Sequence, residues 1–223
     1  MESVTIFDGD DVMSASSRYP VPAATHRVEQ EINRSRFITT IARASTTDDA
    51  VAFIRAVGGE FRDATHNCWA YLVGPPGDTG RIGMSDDGEP HGTAGRPMLA
   101  ALLHAGIGDV AVVVTRYYGG TKLGTGGLVR AYGGGVQQAL ATLPLTERIE
   151  YAFLSVVIDY SRISVLQQLC GDFEAEVLAQ EFAVDVRVDV RLPGEHADRF
   201  SAAVLDATRG QASVTGSSPP GFP

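Results

Sequence analysis

Cysteine, tryptophan and long apolar runs are scarce in this sequence, and each scarcity excludes a class of protein. The 223 residues include two cysteines, Cys68 and Cys170, and one tryptophan. Two thiols so far apart in the chain cannot form a disulfide framework or a thiolate metal site, and reduced thiols fit the cytoplasm. No segment approaches the roughly 18 consecutive apolar residues of a membrane helix, and the N-terminus does not resemble a secretory signal. We therefore expect a cytoplasmic protein with no membrane contact.

Positive charge is also in short supply. The chain has 18 Lys and Arg against 27 Asp and Glu, for a net charge of -9. A protein that coats nucleic acid without selection needs a basic face that displaces counterions from phosphates, so the overall charge excludes that class. Residues 110–146 nevertheless contain Arg116, Lys122 and Arg130 and no acidic residue. Any basic patch is therefore local.

The length and the 44% hydrophobic content fit two domains of roughly 100 to 150 residues or fewer. Residues 1–24 mix acids, serine and proline with little periodicity, which predicts a mobile leader. We expect a first domain over residues 25–147 and a second over residues 148–216. Residues 217–223 are predicted to be a disordered tail.

The hydrophobic pattern predicts a chain of α+β class. In the first domain it indicates strands over residues 26–32, 35–44, 64–73, 81–84 and 109–117. Helices are expected from Thr46 or Thr47 to Gly58, over residues 95–105, and from the loop after residue 117 to about residue 143. The second domain has the order β-α-β-β-α-β that is typical of a ferredoxin-like fold.

A glycine-rich segment, TRYYGGTKLGTGGLVRAY, occupies residues 115–132 between a buried strand and a predicted helix. Such a connection presents free backbone N–H groups and the positive end of a helix to an anion. It lacks the spacing of a P-loop or a dinucleotide-binding loop, so no nucleotide cofactor is expected. The alternative is that these glycines only permit left-handed turns. The predicted anion-binding residues are Arg96, Arg116, Lys122, Thr125 and Arg130, with Gly119, Gly120, Gly124, Gly126 and Gly127.

A second polar segment, SDDGEPHGTAGR, covers residues 85–96. Its three acids lack the alternating spacing of a calcium loop, so we expect no metal and interpret the segment as a turn at the rim of the site. Ser85, Asp86, Asp87 and Thr93 are predicted to shape that rim, with Thr93 as the helix cap. Arg96 is expected either to pair with the acids or to meet a ligand.

Catalysis is the competing hypothesis for the same region. His66 and Cys68 stand two apart on a predicted strand and therefore face the same side. With Asp86 they are the weak candidates for catalytic residues, although a buried cysteine beside Trp69 is the ordinary outcome. We favour a protein that is not an enzyme.

Several ordered strings resemble the IMPACT family, in particular its bacterial members of YigZ type. They are SRFI from residue 35, ATHNCWAY from 64, SDDGEP from 85, GTAGRP from 92, VVVTRYYGG from 112 and KLGTGGLVRAYG from 122. Residues 148–216 resemble the ferredoxin-like domain that accompanies bacterial members, on element order and length alone.

The resemblance implies a first domain with the fold of the fourth domain of elongation factor G, which is ribosomal-protein domain-2-like. It implies a second domain similar to the fifth domain of that factor. RNA or ribosome contact in translation is the leading hypothesis, although a shared fold is weak support for it. An enzyme that acts on a small phosphorylated or carboxylate substrate is one alternative, and a regulator that binds a protein partner is another.

Overall fold

A computed structural model describes residues 18–218 of the chain. Contacts divide it into two compact units, one of Tyr19–Arg148 and one built from Ile149 onward together with Arg18. Within residues 18–218, no helix is long and apolar enough to cross a membrane.

The first unit contains a five-stranded antiparallel sheet in the order β2-β3-β6-β4-β5 and a two-stranded sheet in which β1 joins β7. Its strands are β1 (Arg18–Pro22), β2 (His26–Ile32), β3 (Ser35–Arg43), β4 (His66–Leu72), β5 (Ile82–Ser85), β6 (Val110–Tyr117) and β7 (Leu145–Ile149). Its helices are α1 (Thr47–Glu60), α2 (Gly95–Leu103) and α3 (Gly124–Ala141).

Strand β6 lies at the centre of the larger sheet because both of its faces are buried. Val112 and Val114 belong to the main core, which α2 and α3 cover. Ala111 faces the other way and packs in a small cluster with Ala50 of α1. An unbroken run of β-branched residues suits this position, since neither face has to meet water.

The second unit confirms the predicted order β-α-β-β-α-β. Its elements are β8 (Tyr151–Ile158), α4 (Ile163–Asp172), β9 (Glu176–Phe182), β10 (Val186–Pro193), α5 (Ala197–Ala207) and β11 (Ser213–Gly216). The antiparallel sheet has the order β11-β8-β10-β9, so β8 and β10 are the inner strands. Phe200 of α5 and Leu166 of α4 enter a core of their own with the inner strands.

The structure corrects part of the predicted leader. Residues 1–17 lie outside the described residues, whereas Arg18–Pro22 form β1 rather than a mobile segment. Tyr19 and Val21 of that strand are buried, and the Ala23 N–H donates to the Pro144 carbonyl at 2.9 Å. The extreme tail, residues 219–223, also lies outside the described residues.

Candidate anion-binding site

The loop between β6 and α3 leads to a helix start that no side chain caps. Helix α3 begins at Gly124, and in the described part of the chain no side-chain hydrogen bond caps it at Leu123. By contrast, Thr46 caps α1 and accepts the Asp49 N–H at 3.1 Å. The first N–H groups of a helix have no partner within the helix, and the positive end of its dipole lies there. The start of α3 is therefore a place where an anion is favoured.

The backbone conformation of this loop depends on glycine. Gly120 has φ 84° and Gly124 has φ 71°, both in the left-handed region that a side chain disfavours. Gly120, Gly124, Thr125 and Gly126 are exposed, so a ligand can reach their backbone. Four predicted ligand residues are thus accessible at the start of α3.

Gly119 and Gly127 have packing roles instead. A side chain on Gly119 would collide with the carbonyl of Arg34, and the Gly119 N–H already donates to Ser35 Oγ at 3.2 Å. A Cβ on Gly127 would lie 3.0 Å from the Leu123 Cβ. The predicted role of the Gly119 N–H as an anion ligand is therefore corrected, because that N–H is bonded to the protein itself.

A cavity of about 490 Å³ opens beside the start of α3. It is lined by Thr65, His66, Glu89, Pro90, Arg116, Tyr118, Lys122, Leu123, Gly124, Thr125 and Leu128. The strand ends of β4 and β6, the loop before α2 and the first turn of α3 therefore meet at one site. Lys122 is exposed and forms no ion pair with any residue in the range 18–218.

Arg116 is not the free cation that the sequence analysis predicts. It is 5% exposed and its Nη1 donates to Glu89 Oε1 at 2.6 Å. The Tyr132 hydroxyl, which lies in the middle of α3, donates to the same carboxylate oxygen at 2.6 Å. A buried guanidinium needs such a partner, since an uncompensated charge in the interior is very unfavourable. Glu89 thus joins β6 to α3 beneath the cavity.

One polar atom of Arg116 has no hydrogen-bond partner among residues 18–218. Its Nε is buried and has no hydrogen bond, while the guanidinium lies 5.4 Å from the ring centres of both Phe37 and Tyr118. Buried N–H groups are rarely left unpaired in proteins. The Arg116 side chain is also one of the groups that line the cavity.

His66 enters the cavity from β4 with one ring nitrogen already engaged. Its Nδ1 lies 2.7 Å from the Asp87 carbonyl oxygen, and its Nε2 lies 4.0 Å from Glu89 Oε1. The carbonyl only accepts, so Nδ1 carries a proton and donates to it, and in the Nδ1–H tautomer Nε2 is an acceptor. Within the described residues, no donor occupies Nε2.

Cys68 lies on the same side of β4 but deeper, and its environment does not suit a nucleophile. The side chain is fully buried, and the thiol donates to the Asp86 carbonyl at 2.9 Å. Burial raises the pKa of the Cys68 thiol from its ordinary 9.0 to about 12, with a smaller opposing effect from Tyr132. The thiol is therefore protonated at neutral pH, and the buried interpretation of Cys68 is confirmed.

Asp86 has a structural role in the loop that precedes α2. Its carboxylate accepts the N–H groups of Gly92, Ala94 and Gly95 at 2.7 to 3.0 Å. Burial acts to raise the pKa of Asp86, but these hydrogen bonds outweigh it and the pKa is lowered. A carboxylate that is saturated by the backbone is not available as a catalytic base.

The rest of the rim agrees with the turn interpretation except at Thr93. Asp87 accepts the Asn67 N–H at 2.6 Å, and Ser85 Oγ accepts the Asp87 N–H at 3.1 Å. The hydroxyl of Thr93 donates to the Pro90 carbonyl instead of capping α2. The carboxylate of Asp86 provides that cap, which the sequence analysis assigned to Thr93.

Two of the predicted cations lie elsewhere. Arg96 and Arg130 line a groove of about 920 Å³ between α2 and α3, and neither lines the cavity at the start of α3. Both side chains are exposed, and in the described part of the chain neither makes an ion pair. The predicted pairing of Arg96 with the acids of its loop is therefore absent. Among residues 18–218, no group of three or more His, Cys, Asp or Glu is placed to hold a metal ion.

Glu89 and Tyr132 are the residues that sequence reasoning missed. Glu89 stands in the SDDGEP string, but nothing in the local sequence distinguishes it from the two acids before it. Its burial at 8% exposure depends on β6 and α3, which are distant in the chain. The buried face of α3 was the only available signal for Tyr132.

Comparisons with known proteins give a consistent result over both units. The model of the Impact N-terminal domain matches residues 33–140, and that of a domain of unknown function, DUF1949, matches residues 156–211. The IMPACT family member YigZ of Escherichia coli is 42% identical over 190 residues, which are 85% of this chain and 93% of that protein. The IMPACT family member YvyE of Bacillus subtilis is 33% identical over 183 residues, which are 82% and 83% of the two chains.

A solved structure supports the fold. The crystal structure of a hypothetical protein, 40% identical in sequence, superposes with a TM-score of 0.63 and covers 90% of this chain and 98% of its own. The likeness therefore extends over both units.

Proposed function

The chain belongs to the IMPACT family, and we propose that it is a non-catalytic, translation-associated protein of the cytoplasm that holds a phosphate of RNA at the start of α3. The same surface serves for contact with isolated RNA or with RNA of the ribosome. One observation carries the proposal: among the described residues, no side chain caps the start of α3, and that start opens onto a cavity lined by Lys122, with which none of them forms an ion pair. Backbone N–H groups, a helix dipole and a nearby cation together favour a phosphate.

The donors at this site divide into two kinds. Backbone N–H groups at the start of α3 and the ammonium group of Lys122 are accessible to a ligand. Arg116 lies behind them, neutralised by Glu89 and held rigidly between aromatic rings. In this proposal Lys122 supplies the charge that meets the phosphate, while Arg116 fixes the strand from which the loop departs.

The binding surface extends from the cavity along α3. Arg130 lies six residues after the start of the helix, and its Nη1 lies 3.8 Å from the position of a Cβ on Gly126. Arg96 lies across the groove on α2. Three cations are exposed and make no ion pair among the described residues: Lys122, Arg130 and Arg96. In this proposal each of them contacts a phosphate of the same RNA strand.

Salt titration of RNA binding tests this proposal. Three neutralised phosphates of a single strand give a log-log slope of affinity against salt of roughly -2. We expect each of Lys122→Ala, Arg130→Ala and Arg96→Ala to make the slope shallower by about 0.7. Arg55→Ala is the matched control, because Arg55 is also exposed but lies on α1, on the opposite face of the sheet. A salt-independent affinity, or slopes that match the Arg55→Ala control, contradict the phosphate site.

Sedimentation with ribosomes separates RNA contact from a protein partnership. We expect the protein to co-sediment with ribosomes from cell extract, and we expect Lys122→Glu to abolish this because the substitution reverses the charge beside α3. A partner that is retained after nuclease treatment and after Lys122→Glu favours the protein-partner alternative.

One observation favours a second candidate function, that of an enzyme on a small phosphorylated or carboxylate substrate. His66, whose Nε2 has no donor among the described residues, lines the same cavity as the α3 start, so a candidate general base stands beside an anion site. Thermal shift with nucleotides and sugar phosphates tests it. A strong shift with one metabolite, with turnover that His66→Asn abolishes, supports the enzyme, while a shift with RNA alone supports the binding protein.

A further inference from the structure

His66 presents a single acceptor atom in a fixed direction. Its Nδ1–H donates to the Asp87 carbonyl at 2.7 Å, which holds the ring and leaves the Nε2 lone pair pointing away from that bond. The side chain is 20% exposed, so the ring is held on most sides and still reaches the cavity. An acceptor held in this way can take a donor from a ligand in place of water, since the described residues provide none.

Glu89 does not satisfy Nε2 in the Nδ1–H tautomer of His66. The nearest distance from Nε2 to the Glu89 carboxylate is 4.0 Å, and both groups are acceptors. Glu89 Oε1 already receives hydrogen bonds from Arg116 and Tyr132. The wall of the cavity at β4 therefore accepts hydrogen bonds, whereas the wall at α3 and Lys122 donates them.

A ligand that forms hydrogen bonds with both walls carries a phosphate, which accepts them, and a hydroxyl group, which donates one. The volume of about 490 Å³ lies within the roughly 300 to 1,000 Å³ of pockets that take small ligands. The ring of Tyr118 lines the cavity and is 45% exposed, so it offers a face on which a base can stack. Arg116 lines the same cavity; its side chain is 6% exposed, and its Nε has no hydrogen-bond partner among the described residues, so it is a second polar group at this place.

We infer that the cavity selects ribose over deoxyribose: His66 Nε2 accepts a hydrogen bond from the 2′-hydroxyl of the nucleotide whose phosphate lies at the start of α3. This inference rests on the proposed RNA-binding function and names its specificity residue. The 2′-hydroxyl is the group that distinguishes RNA from DNA, and a fixed acceptor detects it.

The test compares three short single-stranded oligonucleotides of one sequence at one salt concentration. They carry ribose, 2′-fluoro ribose or deoxyribose, and the 2′-fluoro sugar keeps the ribose pucker without a hydroxyl donor. Loss of one hydrogen bond corresponds to roughly a 2- to 10-fold change in affinity. We expect the wild-type protein to bind the ribose form about 5-fold more tightly than either of the other two.

Two substitutions at His66 make the assignment specific to Nε2. His66→Asn keeps a donor to the Asp87 carbonyl and leaves no acceptor at the position of Nε2, so the three affinities become equal. His66→Gln places an amide oxygen near the former Nε2 and keeps part of the ribose preference. Equal wild-type affinities for the ribose and 2′-fluoro forms, or a preference that survives in His66→Asn, overturn the inference. Salt-dependent binding of all three without preference still leaves the phosphate site intact, whereas binding of none overturns both.

Discussion

The geometry of the site depends most on Glu89. It accepts from Arg116 of β6 and from Tyr132 of α3, and it lies at the wall of the cavity. While Glu89 and Arg116 are paired, neither side chain presents an uncompensated charge to the ligand. If the pair is broken, a guanidinium stays buried without compensation, which is a much larger penalty than the loss of one hydrogen bond.

Glu89→Gln should therefore destabilise the first unit strongly. Glutamine retains an acceptor for Tyr132 but leaves Arg116 uncompensated, and loss of one partner of a buried pair costs about 3 to 5 kcal/mol. Urea unfolding followed by the fluorescence of Trp69, the one tryptophan of the chain, measures this. Glu29→Gln is the control, since Glu29 pairs with Arg36 at 2.6 Å on the surface and its loss should change little. Equal effects of the two substitutions contradict the prediction.

The raised pKa of Cys68 predicts how the free energy of unfolding changes with pH in the alkaline range. The folded thiol has a pKa of about 12, and the unfolded thiol ionises near its ordinary 9.0. Between these values the folded state keeps a proton that the unfolded state has released, so stability falls as pH rises above 9. The slope reaches at most about 1.4 kcal/mol per pH unit for one group. Burial also raises the pKa of Tyr132, which adds to the decline above its ordinary value of 10.0.

The measurement is urea unfolding at pH 7, 9 and 10 with Trp69 fluorescence, in the wild type and in Cys68→Ala. The variant should be less stable at pH 7 by about 1 kcal/mol, because it lacks a buried sulfur atom. Its decline toward pH 10 should be shallower than that of the wild type. Parallel declines contradict the assignment of the raised pKa to Cys68.

At the scale of elements, helix α3 joins core packing to the functional surface. Its buried residues include Leu128, Tyr132 and Val136, while its first turn and Arg130 face solvent. Three consecutive glycines in its middle, Gly133 to Gly135, weaken the helix by roughly 1 kcal/mol each relative to alanine. From the sequence, close backbone packing is the expected reason for these three glycines.

The structure distinguishes neighbouring glycines of that run. A Cβ on Gly135 would lie 2.7 Å from Gln30 Nε2 and 2.9 Å from Thr39 Oγ1, whereas nothing lies within 4 Å of one on Gly134. Gly134→Ala should raise the free energy of unfolding by up to about 1 kcal/mol. Gly135→Ala should lower it by roughly 1 to 3 kcal/mol, because the side chains of Gln30 and Thr39 must shift to make room. Urea unfolding of the two variants measures both, and the same sign for both contradicts the packing argument.

Element prediction succeeded where the sequence carries a local signal. Strands β2 and β3, the valine run of β6 and the Thr46 cap of α1 lie where their residue patterns place them. Strand β1 was missed, because Arg18–Pro22 contains two prolines and gains its burial only from residues far along the chain. Thr93 was assigned the cap of α2 for a similar reason: the carboxylate that provides it comes from Asp86, eight or nine residues before the N–H groups it accepts.

At the scale of the whole molecule, the two units have separate cores. The first is built around β6 with α2 and α3, and the second around β8 and β10 with Phe200. Each unit buries enough of its own apolar side chains to be a candidate for independent folding. The proposed RNA surface lies entirely in the first of them, because every residue that lines the cavity falls within Tyr19–Arg148.

A protein of residues 19–148 should therefore fold alone and bind RNA with the salt slope of the full chain. Cooperative urea unfolding by Trp69 fluorescence and a salt titration of RNA affinity measure the two properties. A fragment of residues 19–123 is the control: it lacks α3 and with it Tyr132, so it should not fold. If the 19–148 fragment folds but has no affinity for RNA, the RNA-binding surface lies in the other unit.

The sequence by itself determined the class, the order of elements, the family and the accessible glycine loop, because these follow from local periodicity, turn residues and ordered strings. It did not determine which cations are free. Arg116 and Lys122 stand six residues apart in one basic segment, yet one is buried against Glu89 and the other is exposed. Only the tertiary structure decides this, because the carboxylate that neutralises Arg116 comes from another loop and is held in place by β6 and α3.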